Sequence, residues 1–257
     1  MTTSPDRASH LDVAIERETA VITFRRPEAL NALDVPTRLE LARLIRQHGS
    51  SGEVRGIVLT GEGRAFSAGE DLKAVSTSSD ADPLAAVETF HDVTRAILET
   101  RVPVVAALNG IAVGGASEVA MSCDLRIGAT TAEFFMPENG IGLTISNASS
   151  LFLRRLVGRH ATRIVLGSRR LGADEAHQIG LLDEVVATDE LISRSIDVVH
   201  ELTPEGGATA YHLALLRPSP EEVEAAIARE NVAALEAWNN GVIAAGVERF
   251  WATKDRA

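Results

Sequence analysis

Two acids, Glu118 and Glu138, draw attention through what precedes each of them. Glu118 follows Gly114-Gly115, a pair that comes after the apolar run at 104–108 and the turn residues Asn109-Gly110. A short β-branched run bounded by turn signals reads as a buried strand, and the glycine pair then opens a helix. The first amides of a helix have no internal acceptor and can donate to a negatively charged oxygen. Glu118 lies four and three residues beyond the two glycines, on the helix face that carries those amides. A carboxylate beside an anion-stabilising amide is what proton transfer next to a carbonyl requires. Ala116, Val119, Ala120 and Met121 surround Glu118 with buried-type neighbours, so a carboxylate there needs a reason. Glu138 follows Pro137 on a loop twenty residues further on. If the chain brings the two carboxyls together, repulsion and burial push their pKa values apart, leaving one acid and one base. Spacing alone does not bring them together.

A second strand-to-helix turn, at 65–72, carries a similar message: Ala65-Phe66-Ser67-Ala68-Gly69-Glu70-Asp71-Leu72. Two backbone amides aimed from these turns at one carbonyl oxygen would form an oxyanion hole, where losing one donor costs about 10²–10³ in rate.

The elements that must position these groups are legible in outline. Residues 11–15 and 19–24 alternate as a hairpin. Asp34 and Pro36 start a helix that runs to about Arg46. Residues 56–60 form a strand, followed by a glycine-rich loop over 61–69. Residues 76–81 read as a mobile loop, and Asp82-Pro83 start a helix with Leu84, Val87, Phe90, Val93, Ile97 and Leu98 on one face. Short strands are expected at 125–127 and 133–135. From Ser149 the pattern is mostly helical, interrupted by a turn and strand at 180–186. Ser219-Pro220-Glu221-Glu222 has the N-cap, first-turn proline and acid of a capping box. It opens a long amphipathic helix, with a possible break at Asn239-Asn240-Gly241. The division is an α/β core over residues 1–200 and a helical C-terminal part over 201–257, whose apolar stripe is expected to pack on another subunit.

Composition narrows the class. The chain has 257 residues, 45% of them hydrophobic, enough for one large core. A net charge of −11 argues against nucleic acid and against anionic membrane surfaces. One cysteine, Cys123, excludes an internal disulfide and suits a reducing cytoplasm. The first residues lack the apolar core of a signal peptide, and no apolar run is long enough to span a bilayer, so a cytoplasmic protein is expected. Lysine occurs only at positions 73 and 254, so a substrate anion must find arginine, backbone amides or those two side chains. The seven histidines show no metal-ligand spacing, so no metal is expected.

Taken in order, 68–72 (Ala-Gly-Glu-Asp-Leu), 109–118 (Asn-Gly-Ile-Ala-Val-Gly-Gly-Ala-Ser-Glu), Cys123-Asp124 and Pro137-Glu138 resemble the crotonase superfamily of enoyl-CoA hydratases and isomerases. Residues 26–33 and 180–186 add supporting matches, so the resemblance runs from about Val13 into the C-terminal helices. It implies a crotonase-like ββα spiral with a C-terminal helical region that forms trimers or dimers of trimers. It implies an acyl-CoA thioester substrate and no metal or redox cofactor, coenzyme A being part of the substrate. Residue by residue, it places the oxyanion amides on Glu70 and Gly115 and the two hydratase glutamates on Glu118 and Glu138. Ala68, Glu70 and Leu72 fall on the backbone that embraces the adenine end of the coenzyme; Asp71 and Gly114 belong to the same substrate-binding turns. Asp124 matches a position that helps hold the site, and hydrogen-bonding to backbone is an equal alternative for it. The activity implied is syn addition of water to a 2-enoyl-CoA; the alternatives are a Δ3-Δ2-enoyl-CoA isomerase or another acyl-CoA lyase or hydrolase of the same fold. A hydrolase would use Ser67, in a sequence like a nucleophile elbow with Ala65 in place of its first glycine.

Two departures bear on the substrate. The hydratases have a glycine-rich stretch ending in Thr-Gln-Arg after the second glutamate. Here 142–151 reads Gly-Leu-Thr-Ile-Ser-Asn-Ala-Ser-Ser-Leu, and Ser146 and Asn147 are expected to replace backbone contacts with side-chain ones or to place a polar substrate group. Glu28 stands where a lysine near the coenzyme is common.

Overall fold

The computed structural model describes residues 10–71 and 84–254. The loop at 76–81, the helix start at Asp82-Pro83, and Leu72 lie outside the described residues. Strands β1 (Leu11–Glu16) and β2 (Thr19–Phe24) pair antiparallel as the expected hairpin. Strands β3 (Gly56–Gly61), β5 (Val104–Leu108), β7 (Leu125–Ala129) and β10 (Glu184–Val186) then add in parallel, giving the order β1-β2-β3-β5-β7-β10.

The inner strands are apolar on both faces, as a covered parallel sheet requires. Their alternation sorts the side chains between two layers. Ile22, Ile57, Leu59, Val104, Ala106 and Leu108 enter the main core. Val21, Val58, Val105, Ala107 and Ile127 face the other way, onto Leu191, Ile196, Val198 and Val199 of helix α7 (Leu191–Leu202).

A second sheet, in the order β4-β6-β8-β9, is built from pieces of three residues: β4 (Ala65–Ser67), β6 (Ile111–Val113), β8 (Glu133–Phe135) and β9 (Arg170–Gly172). Three of these strands lie where the sequence was read as loop, turn or helix. Pieces so short, set among glycines and polar residues, carry too few alternations to announce themselves.

The repeating unit is one strand in each sheet followed by a helix. It occurs as β3-β4-α2 (Ala85–Glu99), β5-β6-α3 (Gly115–Ser122) and β7-β8-α4 (Ser149–Val157). This is the ββα spiral the resemblance implied. Helix α1 (Val35–Ser51) is capped by Asp34, whose Oδ1 accepts the Thr37 amide at 2.9 Å, and it continues five residues past Arg46 to a left-handed Gly52.

Beyond α4 come α5 (His160–Gly167), α6 (Ala173–Gln178), α7, α8 (Thr209–Leu216), α9 (Pro220–Asn239) and α10 (Val242–Lys254). The capping box at Ser219 and Glu222 is closed in both directions, and the long helix ends where Asn239-Asn240-Gly241 indicated. Val223, Ala226 and Ile227 of α9 join the main core, which ties the C-terminal region to the spiral. No helix of the described residues is long and apolar enough to cross a membrane.

Candidate active site

The turns at 68–70 and 114–115 meet. Gly69 has φ +77°, and a Cβ there would stand 2.3 Å from the Val113 carbonyl oxygen and 3.3 Å from the Gly115 nitrogen. Only a residue without a side chain allows both the conformation and the approach. The Ala68 amide donates to the Leu30 carbonyl and the Gly69 amide to Ser67 Oγ, so the next N–H along this loop is that of Glu70. Gly115 is the first residue of α3, and its amide has no intrahelical acceptor. The sequence-predicted pair of amides thus belongs to two backbones in direct contact.

The loop is strapped from below. Asn31 Nδ2 donates to the carbonyls of Glu62 and Ala65, and Leu33 N donates to Gly69 O at 2.8 Å. Arg26 Nη1 donates to Asp71 Oδ2 at 2.6 Å. Ser67 Oγ donates to the Asn31 carbonyl at 2.7 Å while accepting from Gly69 N, so its hydroxyl belongs to the turn. That geometry disfavours Ser67 as a hydrolytic nucleophile.

Glu118 sits in the first turn of α3 and is buried to 1% exposure. Its Oε1 accepts the Ser146 amide at 2.8 Å and Ser149 Oγ at 3.1 Å, and its Oε2 accepts Ser146 Oγ at 2.7 Å. Glu138 opens a single 3₁₀ turn, Glu138–Ile141, after Pro137. Its Oε1 reaches to 2.9 Å from where a Cβ on Gly114 would be, and Gly114 has φ +53°. A side chain at 114 would occupy the space of the carboxylate. The two acids therefore converge at the turn that opens α3. Burial, then the Glu138 charge, pushes the Glu118 carboxyl up, against the hydrogen bonds from Ser146. Burial pushes Glu138 up to about 7. Glu138 Oε2 is buried with no hydrogen-bond partner among the described residues. Close carboxyls of this kind titrate as a unit and retain a proton where an exposed glutamate has lost it.

Ser146 and Asn147 part company. Ser146 meets Glu118 through both amide and hydroxyl. Asn147 is fully buried, has φ +64°, and accepts Thr94 Oγ1 at 2.5 Å, so its side chain turns into the protein against α2 instead of lining the site. Asn147 also holds the left-handed Asn147-Ala148 corner that presents Ser146 and Ser149, and its Nδ2 is buried without a hydrogen-bond partner among the described residues.

For Asp124 the structure shows the alternative named for it, hydrogen bonding to backbone. Its Oδ2 accepts the Val104 amide at 2.8 Å, and Arg217 Nε and Nη2 donate to its two oxygens at 2.8 and 2.7 Å. It stands at the start of β5, at the opposite end of that strand from the Gly114 turn, and touches neither glutamate. Glu28 is exposed and lies 3.9 Å from Arg26 Nε.

Two supporting residues, Arg38 and Glu230, went unread in the sequence. Arg38 is 1% exposed, donates to Glu70 Oε1 at 3.2 Å, and lays its guanidinium 4.2 Å from the centre of the Phe90 ring. Phe90 in turn fills the space beside Gly115, where a Cβ would stand 2.7 Å from it. Glu70, Arg38, Phe90 and Gly115 thus brace one turn against the other. Glu230 of α9 accepts the Ala148 and Ser150 amides, both at 2.8 Å, capping the start of α4 behind Glu118. The signal was present: Arg38 and Glu230 are charged residues on apolar stripes, three, four and seven residues from Leu41, Ala42 and Ile45, and from Ile227, Ala226 and Val223.

A cavity of about 440 Å³ opens from Glu138, between the 143–145 segment, α4, α5 and α9.

The chain belongs to the enoyl-CoA hydratase/isomerase family: the family model of that description matches residues 14–249. It is 35% identical over 195 residues to the short-chain-enoyl-CoA hydratase of Clostridium acetobutylicum, covering 74% of this chain and 75% of that one. It is 33% identical over 202 residues to the 4-chlorobenzoyl coenzyme A dehalogenase-2 of an Arthrobacter species, covering 75% and 72%. Among solved structures, the enoyl-CoA hydratase/isomerase of Pseudoalteromonas atlantica superposes with a TM-score of 0.84 at 29% identity, over 95% of this chain and 97% of that one.

Proposed function

We propose that this enzyme adds water across the double bond of 2-enoyl-CoA thioesters. The observation that carries the reading is the convergence of Glu118 and Glu138, both buried, on the turn whose Gly115 amide meets the Gly69-Glu70 loop. The thioester oxygen rests on the amides of Glu70 and Gly115, which stabilise the enolate that forms as C3 is attacked. The shared proton resides on Glu138. Glu118 already receives three hydrogen bonds, one from an obligatory amide donor, whereas Glu138 Oε2 receives none. Glu118 takes a proton from water as its oxygen bonds to C3, and Glu138 delivers its proton to C2. Both carboxyls end with their roles exchanged, and proton exchange between them and solvent resets the pair. The step needs neither a metal nor a redox cofactor. The relatives' names, short-chain-enoyl-CoA hydratase among them, support the substrate class.

The residues proposed to hold the coenzyme are those of the 68–72 turn with Gly114. The C-terminal helices are proposed to build a homotrimer, or a dimer of trimers. Tyr211, Leu215 and Leu216 on α8, with Val232 and Trp238 on α9, are exposed apolar side chains that an assembly would cover. The free, buried Cys123 suits a cytoplasmic setting.

The test is loss of the conjugated thioester absorbance of crotonyl-CoA. Wild type is expected to hydrate it, and Glu118→Gln and Glu138→Gln to fail. Wild type that leaves crotonyl-CoA unchanged while shifting the double bond of a 3-enoyl-CoA would replace hydration by isomerisation.

A further inference from the structure

The cavity beside Glu138 has an uneven distribution of charge. Its inner wall carries two buried acids, Glu138 and Glu230, the second already tied to two amides. Ile145 and Val165 supply apolar lining. At its mouth stand two exposed arginines from different helices, Arg154 of α4 and Arg229 of α9. Most described arginines of this acidic chain are held in ion pairs, including Arg155, which pairs with Glu222 at 2.7 Å. Neither Arg154 nor Arg229 makes an ion pair within 4.0 Å among the described residues, although Arg229 lies near enough to Glu230 to favour its ionised form, and both border the space that begins at Glu138.

An acyl chain whose C2 and C3 lie between the glutamates leaves its far end to run away from the coenzyme. The cavity that Glu138 lines is where that end can go. Its lining combines apolar side chains with the two exposed guanidinium groups. Guanidinium is a planar donor set matched to carboxylate, and two such groups converging on the mouth favour a negative terminus over a methyl group. We propose that the acyl group carries a terminal carboxylate, making the preferred substrates ω-carboxy-2-enoyl-CoA thioesters. The carboxylate sits between Arg154 and Arg229 at the cavity mouth. This rests on the hydratase reading for the placement of C2 and C3.

The test separates tail recognition from catalysis by using saturated thioesters, which cannot be hydrated. Glutaryl-, adipyl- and pimelyl-CoA are titrated calorimetrically into the full-length protein beside their ω-carboxamide analogues, which match them in size without the charge. At least one carboxylate is expected to bind about tenfold more tightly than its amide, as two partly exposed charge pairs would give. The preference is expected to shrink as salt rises, to vanish in Arg154→Met and Arg229→Met, and to return in part in the lysine variants. Equal binding of acid and amide by wild type at all three lengths overturns the proposal, whatever the variants do. So does an equal loss for acid and amide in the arginine variants, which would assign these side chains to the coenzyme phosphates. Tail preference in a protein that hydrates no enoyl-CoA would refute the reaction and leave the recognition standing; hydration of crotonyl-CoA with no tail preference would do the reverse.

Discussion

Glu118 and Glu138 are chemically identical and share one site, yet the backbone treats them in opposite ways. Glu118 is on a regular helix, one turn from its start, and three donors reach its oxygens. Glu138 is on a single 3₁₀ turn after a proline, and its Oε2 has no partner among the described residues. The first environment orients the carboxyl through three donors, while burial and the Glu138 charge still push its pKa up. The second leaves one carboxyl oxygen without a partner among the described residues, and burial raises the carboxyl's pKa to about 7 against a hydrogen bond from its own backbone. In the hydration mechanism proposed above, this difference in donor count is what assigns the base to Glu118 and the acid to Glu138.

Breaking either side of the comparison should have the largest effect. Glu118→Gln and Glu138→Gln are each expected to lower kcat/KM for crotonyl-CoA by about 10²–10⁴ while leaving the circular dichroism spectrum unchanged. Loss from only one of them would collapse the two roles into one shuttle. Next comes the oxyanion turn. Gly69→Ala puts a methyl group 2.3 Å from the Val113 oxygen at a φ of +77°, so the two turns must separate. About 10²–10³ of kcat should go with the misplaced amide, and steady-state kinetics at saturating substrate would show it.

The two regions were unequally legible in the sequence. Glycine spacing, the preceding apolar run and the buried-type neighbours of Glu118 all belong to one continuous stretch, so local rules reach it. Nothing local reveals what meets Glu138, because its neighbours come from Gly114 and from α5 and α10 further along the chain. The same holds for Asn147: the residue was noticed, but its partner Thr94 is 53 positions away, and only the folded register turns the amide inward. The second sheet escaped for a different reason, since three-residue strands are specified by their neighbours more than by their own pattern.

The burial of the acids should also appear as a slope of stability with pH. The Glu138 carboxyl is raised from an ordinary 4.5 to about 7. Between those values the folded state binds more protons than the unfolded one, so its stability must fall as pH rises through this window. Ionising Glu138 is expected to cost the fold at most about 3 kcal/mol. Glu138→Gln removes that loss. Its melting temperature should fall less than that of wild type between pH 5 and pH 8, and a wild-type slope equal to the variant's would mean the carboxyl is not held protonated.

A subtler change sharpens the comparison from the Glu118 side. Ser146→Ala deletes the hydroxyl that donates to Oε2 and keeps the amide that donates to Oε1. With one donor fewer, ionised Glu118 is less favoured and its pKa rises. The acidic limb of the kcat/KM profile should move to higher pH, with about tenfold less activity at neutral pH. Ser149→Ala provides a second hydroxyl deletion, at the longer 3.1 Å contact, and should shift the limb less.

Asp124 supplies the control, an acid whose partners are all structural. Arg217, 8% exposed, reaches it with two nitrogens and also donates to the Leu98, Thr100 and Val102 carbonyls, tying the end of α2 to the start of β5. Asp124→Ala leaves that guanidinium without its counterion and the Val104 amide without its acceptor. Breaking such a pair costs about 3–5 kcal/mol when it is buried. Here the lower end is expected, because Arg217 keeps its carbonyls and the Asp124 side chain is 14% exposed. Turnover per folded molecule should stay within about twofold of wild type, since no atom of Asp124 touches the glutamates and a change remote from them leaves transition-state contacts in place. Denaturant unfolding beside active-site titration separates the two quantities. A drop in turnover larger than the drop in folded fraction would move Asp124 back among the residues that hold the site.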